Sequence, residues 1–327
     1  MKTLSLLFIA TLVFANSFTS PQESAELKEA TTLTDSSIKL FNQGKYDQAI
    51  PQAKRALQIR EKLLPRTDPR VVDSLSNLGE FYISMQDYKA AIEVFRRMLL
   101  SQEERFGAEH VNVANTLDRL AILYSAAGNF REAEAAYKRA LALREKGFGA
   151  NSVQVAQTHF ALADFYRSRS DVENSAANYR RSLAIYGQVS GITSPDWQRV
   201  TEGFYCLGYK SKQLDVQKEI EEVYRQVGGP TAKSPADTSS VLNGRAVTLP
   251  KPEYPDAARE RNLAGMVIVK VEIDESGNVI KARDMCQGPP FLSEAAVAAA
   301  LTARFTATKL DGTPVKVIGV IQYNFKR

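Results

Sequence analysis

This sequence of 327 residues is poor in the side chains that metal sites and many catalytic sites require, with two histidines, two cysteines and one tryptophan. Transition-metal sites draw mainly on histidine and cysteine, so none is expected. A phosphate-binding loop is also missing, because Gly228-Gly229-Pro230 follows a helical stretch and lacks the Lys-Ser/Thr ending. We therefore expect a protein that is not an enzyme and that has no cofactor and no small-molecule substrate.

A concentrated patch of one charge is missing as well. The formal net charge is +5 and the pI is near 9.0, with acidic and basic residues mixed along the whole chain. Nucleic acids and anionic lipid surfaces are usually bound by clustered basic residues. Neither is an expected partner.

The first 17 residues have the pattern of a secretory signal peptide. Lys2 supplies the positive charge, residues 4–15 form an apolar run, and Ala15-Asn16-Ser17 has the small-x-small form of a cleavage site. The run is shorter than the roughly 20 apolar residues that cross a bilayer. We expect export across an inner membrane to the periplasm, with residues 18–29 disordered. The alternative is an uncleaved signal that anchors the chain in the inner membrane.

The strongest internal signal is a repeat with a period of 42 residues. Each unit contains a first set of three matching positions, which begins at Leu75, and a second set of three, which begins at Ala91. Within each set the apolar residues follow helical spacing, and a short turn separates the two sets, so each unit is predicted to be a helical hairpin. Residues 197–227 are predicted to form an atypical closing hairpin. The matching positions are Leu75, Leu117 and His159; Leu78, Leu120 and Leu162; Tyr82, Tyr124 and Tyr166; Ala91, Ala133 and Ser175; Phe95, Tyr137 and Tyr179; and Leu99, Leu141 and Leu183.

These motifs resemble the tetratricopeptide repeat. Leu75-x2-Leu78-Gly79-x2-Tyr82 followed by Ala91-x3-Phe95 carries the resemblance, and the 42-residue period is similar to the kinesin-light-chain subtype. The resemblance implies an all-α solenoid over residues 30–227 whose first helices line a groove for a peptide or partner domain. By position, the groove residues are Glu80, Ile83, Asn115, Asp118, Ile122, Ser125, Phe160, Asp164 and Arg167.

Two of these groove residues have an expected role. Asn115 has the donors and acceptors to bridge to a ligand backbone, and Arg167 has the charge to pair with a ligand carboxylate. The alternative is that the whole set forms solvated helix faces.

Residues 228–244 are rich in Gly, Pro, Ser and Thr, and the helical period stops there. They are predicted to be a linker. Beyond them, residues 266–273 and 279–283 alternate as two strands around an Asp274-to-Gly277 turn, and an alanine-rich helix is predicted over residues 292–303. A short helix precedes the first strand and a long closing strand ends the chain, which predicts an α+β domain with a three-stranded antiparallel sheet and two helices.

This second region resembles the TonB C-terminal domain over residues 245–327. Pro252-x-Tyr254-Pro255, Ile273-Asp274-x2-Gly277 and Gly312-x-Pro314-Val315 are among the matching motifs. In TonB this domain binds an outer-membrane transporter segment by strand addition, in which backbone hydrogen bonds supply affinity. The resemblance implies that the last strand is the edge that meets a partner. The implied binding residues are Tyr254, Pro255, Val315, Val317, Ile321, Tyr323 and Phe325.

The cysteines and histidines have no assigned chemistry. Cys206 and Cys286 lie in different predicted domains, so two separate buried thiols are expected, although export permits a disulfide. His110 lies in a turn between repeats, and His159 stands where other repeats have leucine. We interpret both histidines as packing or surface residues.

The sequence thus predicts a cell-envelope adaptor that binds protein or peptide partners. The solenoid groove would hold one partner and the TonB-like domain another, with the linker setting the reach between them. An outer-membrane transporter is one candidate partner. The alternative function is a TonB-type energy-coupling component for outer-membrane transport, which requires an anchored N-terminus.

Overall fold

The computed structural model describes residues 24–211, 214–227, 241–242, 245–310 and 312–326. The chain divides into two compact units, residues 1–108 and 109–327. The predicted signal peptide lies outside the described residues. Within the described ranges, no helix combines the length and the apolar character that a bilayer crossing needs.

The first unit consists of two helical hairpins. Buried alanines allow the paired helices to approach closely, with Ala49 and Ala91 both fully buried. Between the hairpins, the rings of Phe41 and Phe81 stack with their centroids 4.1 Å apart. The helices are α1 (Ala25–Asn42), α2 (Tyr46–Leu63), α3 (Pro69–Ser84) and α4 (Tyr88–Phe106).

Helix α1 begins at Ala25, so the prediction of disorder over residues 18–29 is wrong for residues 25–29, while residues 18–23 lie outside the described residues. The side chain of Ser24 caps the helix by accepting a hydrogen bond from the N–H of Leu27 at 3.2 Å. Ala30 is fully buried in a cluster with Ala56 and Ile59 of α2. The helix therefore extends further upstream than the apolar pattern of the sequence indicated.

The second unit begins with three more helical hairpins, and a 3-10 turn at Val111–Val113 precedes the first of them. First helices of successive hairpins end at residues 84, 126, 168 and 210, which confirms the predicted 42-residue period. The helices are α5 (Ala114–Ala126), α6 (Phe130–Phe148), α7 (Val153–Ser168), α8 (Val172–Val189), α9 (Pro195–Lys210) and α10 (Val216–Gln226), the last two forming the closing hairpin.

Each of four hairpin turns contains one residue in the left-handed region. Gly44 and Gly128 have φ values of 73° and 80°, and the equivalent Gln86 and Ser170 have 59° and 58°. Glycine adopts this conformation without strain, whereas a side chain makes it unfavourable. The turn is therefore imposed by helix packing even where the sequence does not favour it.

The second unit ends in an α+β region with strands β3 (Gly265–Ile273), β4 (Val279–Asp284) and β8 (Val317–Phe325) in the antiparallel order β4-β3-β8. Helices α11 (Asp256–Glu260) and α12 (Pro290–Leu301) contribute buried alanines to the core beneath the sheet. These elements confirm the predicted class and sheet. The closing strand begins at Val317, two residues after Val315, where the sequence predicted it to begin.

Five further strands, each of two or three residues, were not predicted. They are β1 (Val241–Leu242), β2 (Ala246–Thr248), β5 (Arg304–Phe305), β6 (Lys309–Leu310) and β7 (Thr313–Pro314). Strand β1 pairs with β6, so the end of the predicted linker already belongs to a small sheet. The rest of that linker, residues 228–240 and 243–244, lies outside the described residues.

Candidate partner-binding surfaces

Arg144 organises the predicted groove residues of α5. It is almost fully buried, and its guanidinium donates to Asn115 Oδ1 at 2.8 Å and to Thr158 Oγ1 at 2.6 Å. The same group lies 2.6 Å from Asp118 Oδ2. Burial raises the pKa of Asp118, and the contact with Arg144 opposes that rise. Asn115 is therefore already bonded within the protein through Oδ1, and its bridge to a ligand backbone stays a prediction.

A second polar cluster lies on α7. The carboxylate of Asp164 accepts hydrogen bonds from Arg167 at 2.9 Å and from the hydroxyl of Tyr179 at 2.5 Å. Burial raises the pKa of Tyr179, and the negative charge of Asp164 raises it further, so the hydroxyl stays a donor. Arg167 is thus paired inside the solenoid, and its pairing with a ligand carboxylate stays a prediction.

The other predicted groove residues differ in exposure. Ile122 is 52 % exposed, which leaves an apolar side chain on the surface of α5. Phe160 is half-buried, packs against the ring of Tyr179 and has the guanidinium of Arg199 over its own ring. Ser125 is half-buried. In the first unit, Glu80 and Ile83 are half-buried on α3.

The sequence analysis did not identify Arg144, the arginine that contacts Asn115 and Asp118. The pair Arg144 and Thr158 has an equivalent in Arg60 and Ser74, which lie 84 residues, or two periods, earlier and are also hydrogen-bonded. A comparison of polar as well as apolar positions across the repeat would have found both pairs.

Helix α9 contacts the α+β region through a disulfide bond. Cys206 and Cys286 are joined, with their Cα atoms 5.5 Å apart, which corrects the expectation of two separate thiols. Ile268 of β3 is buried in the same cluster as the two cysteines, with Tyr209, Met266 and Met285 packed against it. The sequence could not show this pairing because the two cysteines are 80 residues apart.

Glu202 of α9 lies between two cations of the sheet. Lys270 donates to Oε1 at 2.6 Å, and Arg283 approaches both carboxylate oxygens, at 2.7 and 2.6 Å. Burial alone would raise the pKa of Glu202, but hydrogen bonds from Arg283 and Lys270 outweigh it, and the pKa lies below its ordinary value. The contact between α9 and the sheet is therefore ionic as well as covalent.

The predicted binding residues on the last strand face inward. Ile321, Tyr323 and Phe325 are buried in the core beneath the sheet, and Val317 is packed against that core. Val315 precedes the strand, and its N–H donates to Thr308 at 2.9 Å. Side chains alternate along a strand, so the sequence argument selected the set that packs inside.

The direction of the backbone N–H and C=O groups identifies the residues of β8 that are available to pair with a partner strand. The N–H of Met285 donates to the carbonyl oxygen of Ile268, so the backbone polar groups of Ile268 point toward β4. These groups alternate sides along a strand, so those of Val269 point toward β8, and those of its partner Ile321 point back to β3. The exposed alternate residues of β8 therefore present their N–H and C=O groups to the other edge. They are Ile318, Val320, Gln322 and Asn324.

Tyr254 and Pro255 line an open groove of about 940 Å³ between residues 250–256 and α12. The hydroxyl of Tyr254 donates to the carbonyl of Leu263, and its ring meets that of Phe325 edge-on, with centroids 5.9 Å apart. Pro255 is the N-cap residue of α11. Both residues thus have a packing role at the groove.

The histidines also have structural partners. The Nδ1 atom of His110 accepts from the N–H of Asn112 at 3.1 Å and caps the 3-10 turn. His159 lies 2.9 Å from the side chain of Asn178, and burial lowers its pKa. Among the described residues, no group of three or more His, Cys, Asp or Glu side chains is arranged to hold a metal ion.

Models of known protein families match both the helical repeats and the α+β region. Tetratricopeptide repeat models match residues 30–70, 70–146 and 119–190. The model of the Gram-negative bacterial TonB protein C-terminal domain matches residues 250–326. None of the curated proteins matches the chain.

Solved structures are similar to the helical part. Two crystal structures of nearly identical tetratricopeptide-like repeats of a putative kinesin light chain from Podosopora anserina, one of them a variant, have 18 % and 17 % identity. Each has a TM-score of 0.51 and covers 65 % of this chain and 100 % of that chain. BtubC from P. vanneervenii has 18 % identity and a TM-score of 0.42, covering 71 % of this chain and all of its own. At these identities the likeness shows the fold alone.

Both matched families are interaction domains rather than catalytic ones, and the TonB match is typical of bacterial envelope proteins. The helical hairpins, the sheet order and the family matches agree in placement along the chain. The chain therefore carries tetratricopeptide repeats, which share their fold with the repeats of a putative kinesin light chain, followed by a TonB C-terminal domain.

Proposed function

We propose that the chain is exported to the periplasm and acts there as a non-catalytic adaptor for two protein partners. One partner binds the groove face of the repeats, and the other binds the TonB-like domain by strand addition. The observation that carries the proposal is the position of β8 at an edge of the β4-β3-β8 sheet, with no other strand paired to it among the described residues.

The chemistry of this edge supports strand addition. A strand at a sheet edge offers a row of unpaired backbone donors and acceptors, and native proteins usually protect such rows. On β8 the residues that point their backbone groups outward also expose apolar side chains, with Ile318 65 % and Val320 42 % exposed. A partner strand would gain backbone hydrogen bonds and would cover this apolar surface.

The groove face offers a different chemistry. Ile122 provides an exposed apolar contact, while Asp118 and Asp164 provide carboxylates whose positions are held by Arg144 and Arg167. Held polar groups next to an apolar side chain can bind a peptide with little loss of side-chain freedom. The two surfaces therefore select different partners.

Site-specific photo-crosslinking in cells tests both surfaces. A photoreactive residue replaces Gln322 on β8 in one strain, Ile122 on α5 in a second and Glu222 on α10 in a control strain. We expect the first two positions to capture different envelope proteins and the control position to capture neither. Capture of the same protein at all three positions, or of none, would contradict the adaptor function.

The strand-addition step has a sharper test. Val320→Pro removes an N–H that points to the open edge, and Val320→Ala keeps that N–H while shortening the side chain. We expect the proline variant to lose the crosslink from position 322 and the alanine variant to retain it. Equal crosslinking in the two variants would exclude backbone pairing at this edge.

The alternative, an energy-coupling component, depends on an anchored N-terminus. Residues 1–23 lie outside the described part of the chain. The mass of the native N-terminus discriminates between the two functions. Cleavage after Ser17 supports the periplasmic adaptor, and an intact Met1 in the inner-membrane fraction supports the alternative.

A further inference from the structure

The face of α9 that contacts the sheet is in register with the predicted groove of α5 and α7. A shift of 42 residues places Glu202 in register with Phe160 and Asp118. The same shift places Cys206 with Asp164 and Ile122, and Tyr209 with Arg167 and Ser125. On α5 and α7 these positions belong to the groove in which the proposed adaptor would hold a partner. On α9, the first helix of the last hairpin, the same positions are covered by the chain's own TonB-like domain.

The electrostatics of α9 differ from those of α5 and α7 in a way that fits this occupancy. Asp118 and Asp164 are paired with arginines of the solenoid. Both ion pairs of Glu202 reach the sheet, to Lys270 and Arg283. With its side chain only 21 % exposed, an unpaired carboxylate here would be costly. The site thus requires a basic ligand.

The apolar contact between α9 and the sheet also indicates that the sheet occupies this face of the helix. Ile268 lies on the face of β3 opposite the domain core, yet it is 1 % exposed. On the same sheet face, the neighbour of Ile268 on β8, Gln322, is exposed. Helix α9 therefore covers the β3 and β4 side of this face and leaves the β8 side open.

The two elements also match in spacing. Glu202 and Cys206 are four residues apart on a helix, about 6 Å along its axis. Lys270 and Ile268 are two residues apart on a strand, about 6.6 Å along its direction. Lys270 bonds to Glu202, and Ile268 packs beside Cys206, so the strand runs along α9 in the opposite direction.

We propose that this face of α9 is a binding site for a β-hairpin that presents a lysine and an arginine on one face, that its resident ligand is the β3–β4 hairpin of the same chain, and that this docking brings Cys206 and Cys286 together before they are oxidised. The distance between the groove and the β8 edge is then fixed by the docked contact and not by the linker. The inference concerns the chain alone and does not depend on either partner proposed above.

The covalent step is ordinary thiol–disulfide exchange. The thiolate of one cysteine attacks a small-molecule disulfide and displaces one thiolate from it. The second cysteine then attacks the mixed disulfide, forms the Cys206–Cys286 bond and releases the other thiolate. Two protein thiols are oxidised, one external disulfide is reduced to two thiols, and the two protons pass to the released thiolates or to solvent.

Equilibration of the reduced full-length chain with glutathione and glutathione disulfide measures the effective concentration of the two thiols. Loss of a charge contact at a hydrogen-bonded pair is expected to lower it about tenfold or more in Glu202→Lys. The triple variant Glu202→Lys, Lys270→Glu and Arg283→Glu reverses the charges on both sides and should recover most of the loss. Glu222→Lys, the same charge change on α10, should leave the value unchanged.

Each outcome decides the proposal. A wild-type value that falls with added salt, a loss in Glu202→Lys and recovery in the triple variant support docking before oxidation. Equal effective concentrations in the wild type and Glu202→Lys would overturn it. So would accumulation of separate glutathione adducts on Cys206 and Cys286 without a bond between them. Because no partner is present, failure here leaves the adaptor function to its own crosslinking test.

Discussion

The guanidinium of Arg144 on α6 donates to the hydroxyl of Thr158 on α7, across the junction between two helical hairpins. The same arginine lies 2.6 Å from Asp118 on α5. One buried side chain thus joins three helices of the second unit and holds the carboxylate of a predicted groove residue.

The first prediction concerns this arginine. Arg144→Met keeps a long apolar stem but leaves Asp118 half-buried without its counter-ion, so we expect a loss of about 3–5 kcal/mol in the free energy of unfolding. Thr158→Val removes the hydroxyl that accepts from Arg144 and donates to the carbonyl of Gln154, and the loss of these two hydrogen bonds should cost about 1–2 kcal/mol. Urea unfolding followed by circular dichroism measures both. Losses of equal size would mean that the ion pair contributes little.

The second prediction concerns the pH dependence at His159. Burial lowers the pKa of this histidine below its ordinary value near 6.5, although the hydrogen bond that its Nδ1–H donates to Asn178 Oδ1 partly opposes the shift. As the pH falls, this histidine is therefore protonated in the unfolded chain before it is protonated in the folded chain. The stability contribution is complete above the ordinary histidine range and is lost as the pH falls below 6.5.

His159→Leu restores the residue found at the equivalent Leu75 and Leu117 and removes this titration. We expect the wild type to lose more stability than the variant between about pH 7.5 and pH 5.5. Free energies of unfolding at the two pH values, measured for both proteins, provide the check. Parallel pH profiles would show that burial of the imidazole does not govern its protonation.

The third prediction concerns the turn before β4. A β-carbon on Gly277 would lie 1.9 Å from the carbonyl oxygen of Phe305, and the φ of Gly277 is +88°. Gly277→Ala therefore adds a backbone clash to an unfavourable conformation, and a loss above about 3 kcal/mol is expected.

Gly312 separates these two effects. Its φ is +79°, but no atom lies within 4 Å of the position of its β-carbon. Gly312→Ala should cost only the conformational part, about 1 kcal/mol. Thermal unfolding of the two variants measures the difference, and equal losses would rule out the clash with Phe305 as the larger effect.

The fourth prediction concerns the hairpin turns. Ser170 has a φ of 58°, in a conformation that costs a non-glycine residue roughly 1–2 kcal/mol. Glycine loses about 0.5–1 kcal/mol more chain entropy on folding, so Ser170→Gly should stabilise the protein by about 0.5 kcal/mol. Gly128→Ala, the reverse change at an equivalent turn, should destabilise it. Chemical unfolding of both variants tests the sign, and a loss of stability in Ser170→Gly would contradict the assignment.

Predictions from the sequence were most accurate where the signal is short-range and repeated. The spacing of Leu75, Leu78 and Tyr82 is set by contacts one or two turns apart on a single helix, and the period copies it through the chain. The alternation from Val267 to Ile273 likewise predicts a strand from neighbouring residues alone. Such patterns determined the helical hairpins and the central strands.

The candidate site was predicted less well, because the choice among exposed and buried alternatives depends on packing. Both alternate sets of β8 contain apolar residues, so Ile318 and Ile321 look alike in the sequence. Only the core beneath the sheet decides that Ile321 is buried and that Ile318 is exposed. Asn115 and Arg167 were predicted to contact a ligand, and the sequence did not reveal that each also has a partner inside the solenoid.

The sequence by itself determined the 42-residue helical repeat, the order of the central α+β elements and the resemblance to two interaction families. The tertiary structure alone decided that Cys206 meets Cys286 and that Glu202 binds Lys270 and Arg283. Local patterns arise from contacts within a few residues, and periodicity records them. Contacts between elements 68 to 81 residues apart leave no periodic trace, because they depend on how complete surfaces fit together.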